Sequence, residues 1–332
     1  MAAVEYLVNL AEAQADPALA AALGRAAQPA PFDRLEWWRL LADECLQGEH
    51  PGLAVARDVG SIAALPLLRR VRSRQLRSLA NWYSFWARPV FAGGGDRQAL
   101  LRAIAANLPT HAARVSLAPL RPADAAEIET AFAATGWRVL RSVAGVNHRL
   151  ELAGRDFAAY WADRPGRLRE TVRRKAKGRV ELRIARRFEP SDWVDYGQVY
   201  AASWKPAEGS PPFLRRFAEA EGAAGTLRLG IATLDGRPVA AQLWTVEAGT
   251  AYIHKLAHDE TAKAHSPGTL LSHALFAHAI DRDGVQTIDF GTGDDAYKRD
   301  WMEIARPLWR LDMHWPKSPW AWPHLVRARL RG

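Results

Sequence analysis

Tyr252–Leu275 reads YIHKLAHDETAKAHSPGTLLSHAL. The spacing predicts a strand over 250–258, a short polar loop, and a helix over 267–281 whose first turn is Ser266-Pro267-Gly268-Thr269. Ser266 is of an N-cap type, Pro267 sits where a missing N–H costs nothing, and Gly268 lets a ligand approach the backbone. A helix start of this kind offers free amides and a positive dipole end, which together favour a phosphate group. The same residues also make a plain helix start, and at this point both readings stand. A second stretch, Gln286–Trp301, reads QTIDFGTGDDAYKRDW. It predicts a buried strand over 286–290 that runs into Asp289, two glycines, further aspartates, Tyr297 and Lys298. Ionisable groups at the carboxyl end of a strand lie where open α/β sheets bind ligands. A turn with aspartate caps accounts for Gly291-Thr292-Gly293-Asp294 but not for the adjacent Tyr297-Lys298.

Outward from these stretches the chain repeats one grammar. The first half predicts a strand over 5–10, a helix over 35–46, a strand pair over 53–71 turning at Asp58 to Ser61, and a helix over 96–107. A strand over 114–118, a helix over 123–135 and strands over 137–141 and 147–152 complete it. The second half predicts helices over 156–163 and 166–177, a strand over 180–186, and helices over 191–203 and 212–221. Three strands over 226–234, 238–246 and 250–258 precede the two stretches above, a short helix near Tyr297 follows them, and a strand over 308–314 closes the run. The fold class expected is mixed α/β in two similar units, divided near Gly154 into residues 1–153 and 154–332.

Composition narrows the function classes. At 332 residues, 48% hydrophobic and 24% charged, the chain is neither disordered nor fibrous. Cys45 is the only cysteine, which excludes a disulfide framework and a four-cysteine metal site and suggests a reducing cytoplasm. The N-terminal MAAVEYLVNLAEAQ has no basic region before an apolar core, and no stretch approaches the ~20 apolar residues of a spanning helix, so a cytoplasmic location is expected. The net charge of +9 is concentrated between Arg164 and Arg187, where eleven basic residues face two glutamates and the rest of the chain balances. One basic element on a neutral chain fits a local anionic partner without requiring a polyanion. Leu168, Val172 and Ala176 recur at four-residue spacing and leave Arg169, Arg173, Arg174 and Lys177 on the outer face. That face is either simply solvated or an anion clamp in which the Arg173 and Arg174 forks hold phosphate.

Three further features bear on function. Trp204-Lys205-Pro206, with Tyr200 one turn earlier, is either core or the wall of an acceptor pocket. Five histidines fall between His254 and His278, but with no His-Glu-x-x-His helix and no cysteine partner they predict no metal. Trp315, Trp320 and Trp322, with Arg327, Arg329 and Arg331, either touch an anionic membrane surface or pack on the parent domain. Pro316, Pro319 and Pro323 prevent a long helix there.

Four segments carry a resemblance: Gly236 to Leu243, Lys255-Leu256-Ala257-His258-Asp259-Glu260, Ser266-Pro267-Gly268, and Asp289-Phe290-Gly291 through Tyr297-Lys298. Together they resemble the bacterial GNAT-superfamily acyltransferases of the BioF2-like and CelD-like group, relatives of the Fem aminoacyl-transferases, most strongly from about Arg164 to Leu311. The resemblance implies two tandem GNAT-like folds, each a mixed, mostly antiparallel sheet flanked by helices: a degenerate one over 1–153, and a donor-binding one over 154–332 with the basic helix and tryptophan-rich tail. It implies that Lys263, Ser266, Pro267, Gly268 and Thr269, with Leu256 on the strand before them, hold coenzyme A as co-substrate. Tyr297 takes the place of the tyrosine that protonates the leaving thiolate, and Lys298 that of a Fem lysine near the transfer centre. Trp204, Lys205, Tyr200 and Lys255 fall on the acceptor side. Of the GNAT signature positions Lys263, Ser266 and Gly268, only Gly268 matches, a departure shared with Fem-like relatives that take an aminoacyl group from tRNA.

Transfer to an amine needs a deprotonated nucleophile, a polarised carbonyl and a protonated leaving group. Asp289 or Asp294 is the candidate base and Tyr297 the candidate acid. The expectation is an N-acyltransferase acting from acyl coenzyme A on an amine such as an amino sugar or another cell-envelope precursor, with the cleft between the units admitting it. The alternatives are a Fem-like enzyme using aminoacyl-tRNA, which predicts more basic surface than one segment supplies, and a non-catalytic module docking on nucleic acid or lipid.

Overall fold

Early in the chain, Asn9 turns the expected strand at 5–10 into something shorter. Its side chain accepts from the Glu12 amide at 3.0 Å and starts a helix, so the strand stops at Leu7. In the computed structural model, which describes residues 2–321, the elements run β1 (Ala3–Leu7), α1 (Leu10–Ala15), α2 (Pro17–Ala22), α3 (Leu35–Cys45), β2 (Glu49–Asp58), β3 (Ser61–Arg70), β4 (Gln75–Ser78), β5 (Val90–Ala92), α4 (Arg97–Asn107), β6 (Arg114–Leu120), α5 (Pro122–Ala134) and β7 (Arg138–Glu151). They continue with α6 (Phe157–Ala162), α7 (Gly166–Lys175), β8 (Val180–Ala185), α8 (Pro190–Ala201), α9 (Pro211–Ala223), β9 (Leu227–Leu234), β10 (Arg237–Glu247) and β11 (Thr250–His258). After a 3-10 segment Glu260–His265 come α10 (Pro267–Ala277), β12 (Thr287–Thr292), α11 (Lys298–Trp301) and β13 (Ile304–His314). Strands expected at 137–141 and 147–152 are one strand, β7, and the helix expected to reach Asp281 becomes a π-turn from His278.

Packing separates the described residues into two units, one up to Gly145 together with those from Pro307 onward, the other Val146–Arg306. The first has strand order β1-β2-β3-β4-β6-β13, with β5 beside β3. The second has β8-β9-β10-β11-β12-β7. Each sheet is antiparallel for four strands, has one parallel pair (β4 with β6, β11 with β12), and ends on an antiparallel strand. The mixed, mostly antiparallel, helix-flanked architecture is the one expected. Each unit also has its own core: Leu65, Leu67, Ile104, Ile128 and Phe132 in the first, Tyr160, Trp244, Leu271, Phe276 and Trp301 in the second.

The second unit carries both Tyr252–Leu275 and Gln286–Trp301. α10 lies against β9, where a Cβ on Gly230 would stand 2.8 Å from Leu275 Cδ1 and 3.0 Å from Leu271 Cδ1, so only glycine lets the helix come this close. At the heart of the unit Phe276 stacks on Tyr160 (5.5 Å) and Trp301 (4.8 Å) and meets Trp244 edge-on (5.2 Å). Tyr160 donates to the Trp301 carbonyl at 2.8 Å. Arg164 leaves the basic ridge for this core, bonding the same carbonyl and pairing with Glu303. In the tail, Trp315 packs on Trp137 at 5.4 Å and Trp320 is exposed, while Trp322, Pro323, Arg327, Arg329 and Arg331 lie outside the described residues. Among the described residues no helix is long and apolar enough to cross a membrane.

Phe276→Ala is expected to lower the unfolding free energy of the second unit by about 3–5 kcal/mol, measured by urea denaturation followed through tryptophan fluorescence. A loss below about 1 kcal/mol would contradict the packing described.

Candidate functional site

β11 and β12 pair only at Thr250–Tyr252 with Thr287–Asp289, although β11 runs on to His258 and β12 to Thr292. Beyond Tyr252 and Asp289 the two strands part. Two local devices hold them apart. On β12, the buried Asp289 carboxylate accepts from its own chain at the Gly291 amide (2.9 Å) and from Asn147 Nδ2 (2.7 Å), with Arg306 at 3.7 Å. Asn147 Nδ2 also donates to the Gly291 carbonyl (3.0 Å), and Arg306 holds the Asn147 oxygen at 2.7 Å. Gly291 and Gly293 have φ of 66° and 101°, which suits glycine. On β11, the register jumps between Ile253 and Lys255, leaving His254 as a bulge residue bonded to Thr245 at 2.8 Å. Burial pushes the His254 imidazole down to about 3, so it stays neutral.

Where the strands part lies a pocket of about 330 Å³. Leu256 and His258 of β11 form one side and Phe290, Tyr297 and Trp301 another; the start of α10 closes the end with Lys263, Ser266, Pro267, Gly268, Thr269 and Ser272. Trp204 also lines it, its ring 4.5 Å from that of His258. The start of α10 differs from the expected N-cap. Ser266 has φ 53° and ψ 42°, a left-handed conformation, and its side chain caps nothing. Its amide closes the preceding 3-10 turn on Lys263 and its carbonyl accepts from Leu270. Among the described residues the Gly268 and Thr269 amides have no acceptor, so two N–H groups and the positive helix end remain available. Gln242 fixes this end in place: its Nε2 donates to Ser272 Oγ (2.7 Å) and the Gly268 carbonyl (3.2 Å), and its Oε1 accepts from Trp244 (3.0 Å). A Cβ at Gly268 would press on His258 Nδ1 at 3.3 Å.

Lys263, Ser266, Pro267, Gly268, Thr269, Leu256, Tyr297 and Trp204 thus line one pocket. Tyr297 stands edge-on to Phe290 at 5.7 Å, and burial, with the Asp295 charge beside it, raises its hydroxyl pKa. Asp289, Asp294 and Lys298 do not line that pocket. Burial raises the Asp289 pKa, whereas hydrogen bonds from His148 (2.9 Å) and Arg299 (2.7 Å) lower that of Asp294. Lys298 is buried, with its ammonium donating to the carbonyls of Thr292 (2.6 Å), Gly293 (3.2 Å) and Phe290 (3.4 Å). It ties the glycine loop together, and burial lowers its pKa. Tyr200 and Lys205 line a separate pocket in the same unit, and Lys255 pairs with Glu208 of that pocket at 2.9 Å. Arg173 and Arg174, both more than half exposed, pair with Glu170 on α7 and line neither pocket. The bulge at His254 separates it from His258, and among the described residues no three histidine, cysteine or acidic side chains gather as for a metal. Asn147 and Arg306, which set the strand parting, and Glu208 were not picked out from the sequence. Asn147 lies 142 residues from Asp289, beyond the reach of any local pattern.

Residues 162–299 match the family model described as acetyltransferase (GNAT) domain. No curated protein matches the chain in sequence. Among solved structures, FemX is 10% identical, with 84% of this chain and 90% of that chain covered and a TM-score of 0.63. A tandem GNAT protein from the clavulanic acid biosynthesis pathway is 15% identical over 95% of this chain and 100% of that one, with a TM-score of 0.53. L-PGS from Bacillus licheniformis is 12% identical over 89% and 95%, with a TM-score of 0.52. At such identities the likeness is one of fold. Residues 162–299 thus match a GNAT acetyltransferase domain, in a chain that shares its fold with FemX and with a tandem GNAT protein.

Proposed function

We propose that the chain is an N-acyltransferase that moves an acyl group from acyl coenzyme A to an amine. The observation that carries this reading is that the free amides at the start of α10 and the Tyr297 ring line the same pocket, opened where β11 and β12 part. Gly268 and Thr269 are placed to bind a pyrophosphate through their amides, with Lys263 at the rim. Leu256 and His258 of β11 line the pocket past the point where β12 pairs, so an extended, amide-bearing arm can lie along this end of the strand. Bound there, the thioester supplies an activated carbonyl.

The rest is the work of side chains. Tyr297, with its pKa raised, holds its proton throughout the working range and gives it to the departing sulfur as the C–S bond breaks. The amine nitrogen forms the C–N bond and releases its proton to water in the open pocket. Asp289 and Lys298 act by position: one keeps the strands apart, the other fixes the loop that presents Tyr297. Trp204 lines the donor pocket, while its neighbour Lys205 and Tyr200 line the second pocket, the side assigned to the acceptor.

The fold shared with FemX and the exposed Arg173 and Arg174 favour a second reading, transfer from aminoacyl-tRNA. Thermal unfolding with coenzyme A, acetyl coenzyme A or uncharged tRNA separates the two. Coenzyme A at a hundred times its Kd is expected to stabilise the protein by about 2.7 kcal/mol, while tRNA leaves the Tm unchanged; a response to tRNA alone would favour the second reading. Tyr297→Phe is expected to lower kcat about 10²–10⁴-fold without weakening coenzyme A binding, measured by thiol release and calorimetry. An unchanged kcat would remove Tyr297 from the role of acid.

A further inference from the structure

The second pocket, of about 470 Å³, adjoins the first through one peptide, since Trp204 lines the first and Lys205 the second. Its long wall is aromatic. Trp193 and Tyr196 of α8 stack at 4.7 Å with 19° between their planes, and Tyr200 continues the row at 6.0 Å from Tyr196. Pro206, Pro211 and Leu214 add apolar surface opposite. Because Trp193 and Tyr196 stack on each other and Tyr200 is tilted 32° from Tyr196, the row offers aromatic edges, which suit the face of another aromatic ring better than a sugar or a flexible chain.

Two charged residues line the pocket, and they differ. Glu208 is neutralised by Lys255, at 2.9 and 3.0 Å from its two oxygens, and takes a hydrogen bond from Tyr200. Lys205 has no carboxylate within ion-pair distance among the described residues; its ammonium lies 5.6 Å from the centre of the Trp204 ring. Burial, with Lys255 and Lys298 nearby, pushes its pKa down to about 8, against the opposing effect of Asp295 and Glu208. Three lysines thus meet two carboxylates here, and a ligand carboxylate would supply the remaining negative charge.

Gly197 gives the pocket its room. It stands in the interior of α8, where glycine weakens a helix, and a Cβ there would meet nothing within 4 Å. A larger side chain at 197 would fill the pocket it lines rather than displace protein atoms.

We propose that this pocket is the acceptor site for an amine of the aromatic amino acid class, with its ring on the Trp193–Tyr196–Tyr200 wall and its carboxylate at Lys205. As an acceptor assignment it rests on the acyl-transfer reading of the first pocket; as a binding site it does not.

The test is calorimetric titration of the full chain with L-phenylalanine, with phenethylamine, which lacks the carboxylate, and with glucosamine, which lacks the ring. L-phenylalanine is expected to bind about tenfold or more tighter than either. Gly197→Leu is expected to weaken L-phenylalanine about tenfold and to leave coenzyme A affinity within about twofold. Lys205→Met is expected to abolish the difference between L-phenylalanine and phenethylamine, an outcome that does not depend on how well the Gly197 variant folds. Equal binding of L-phenylalanine and glucosamine, or wild-type L-phenylalanine affinity in Gly197→Leu, overturns the proposal. So does a Gly197→Leu protein that loses affinity for lauroyl coenzyme A but not acetyl coenzyme A while keeping L-phenylalanine, since the pocket would then house an acyl tail. If L-phenylalanine binds and coenzyme A does not, the donor reading fails and this site stands; if coenzyme A binds and L-phenylalanine does not, the donor reading stands and this site fails.

Discussion

A parallel strand pair that pairs for three residues and then separates must find other partners for the backbone groups it releases, because unpaired buried amides are costly. In this protein the separation of β11 from β12 is the constraint on which the site depends. Asp289 meets it on one side by bonding the Gly291 amide within its own strand, and Asn147 meets it again at the Gly291 carbonyl. Burying a carboxylate raises its pKa, and the hydrogen bonds from Gly291 and Asn147, with Arg306 nearby, offset that cost. On the other strand the bulge at His254 shifts the register, so that Leu256 and His258 reach the pocket while Lys255 turns to Glu208. A helix end is then fixed in the gap by Gln242, with two amides facing no acceptor among the described residues.

The charged groups around the gap divide by burial. Lys298, Asp289 and Arg164 are almost wholly enclosed and bonded to backbone or to one another's neighbours, so they stiffen the walls. Lys263 stands at the rim, open to solvent, and Arg173 and Arg174 on α7 are likewise exposed. An exposed pair such as Arg173 with Glu170 contributes little to stability, so the basic ridge is free to serve another purpose without cost to the fold. Lys205 falls between these classes, half-buried and with no ion pair among the described residues, which is what makes its pocket informative.

Much of the site was legible from the chain because its signals are local. Ser266 to Thr269 announce a helix start within four residues, and Tyr297 follows a strand and a glycine turn within a dozen. The doubled element order predicted the doubled sheet for the same reason: alternation and turn residues repeat along the chain. What escaped was either conformational or distant. Nothing in a serine side chain signals a left-handed backbone, and Ser266 adopts one because the 3-10 turn before it ends there. Lys298, adjacent to Tyr297, seemed suited to chemistry by residue type, but three carbonyls of the loop before it claim its ammonium. The partners that keep Asp289 in place come from β7 and β13, far along the sequence, and the aromatic wall of the second pocket uses a helical spacing that an ordinary core face would also show.

Hydrogen–deuterium exchange of the full chain with and without coenzyme A tests the central claim most directly. If an anion seats on the start of α10 with its arm along β11, the amides of Gly268 and Thr269 and those of Leu256 to His258 slow on binding, while α7 is unaffected. Protection confined to α7 and the basic ridge, with Gly268 and Thr269 exchanging as before, would contradict the account.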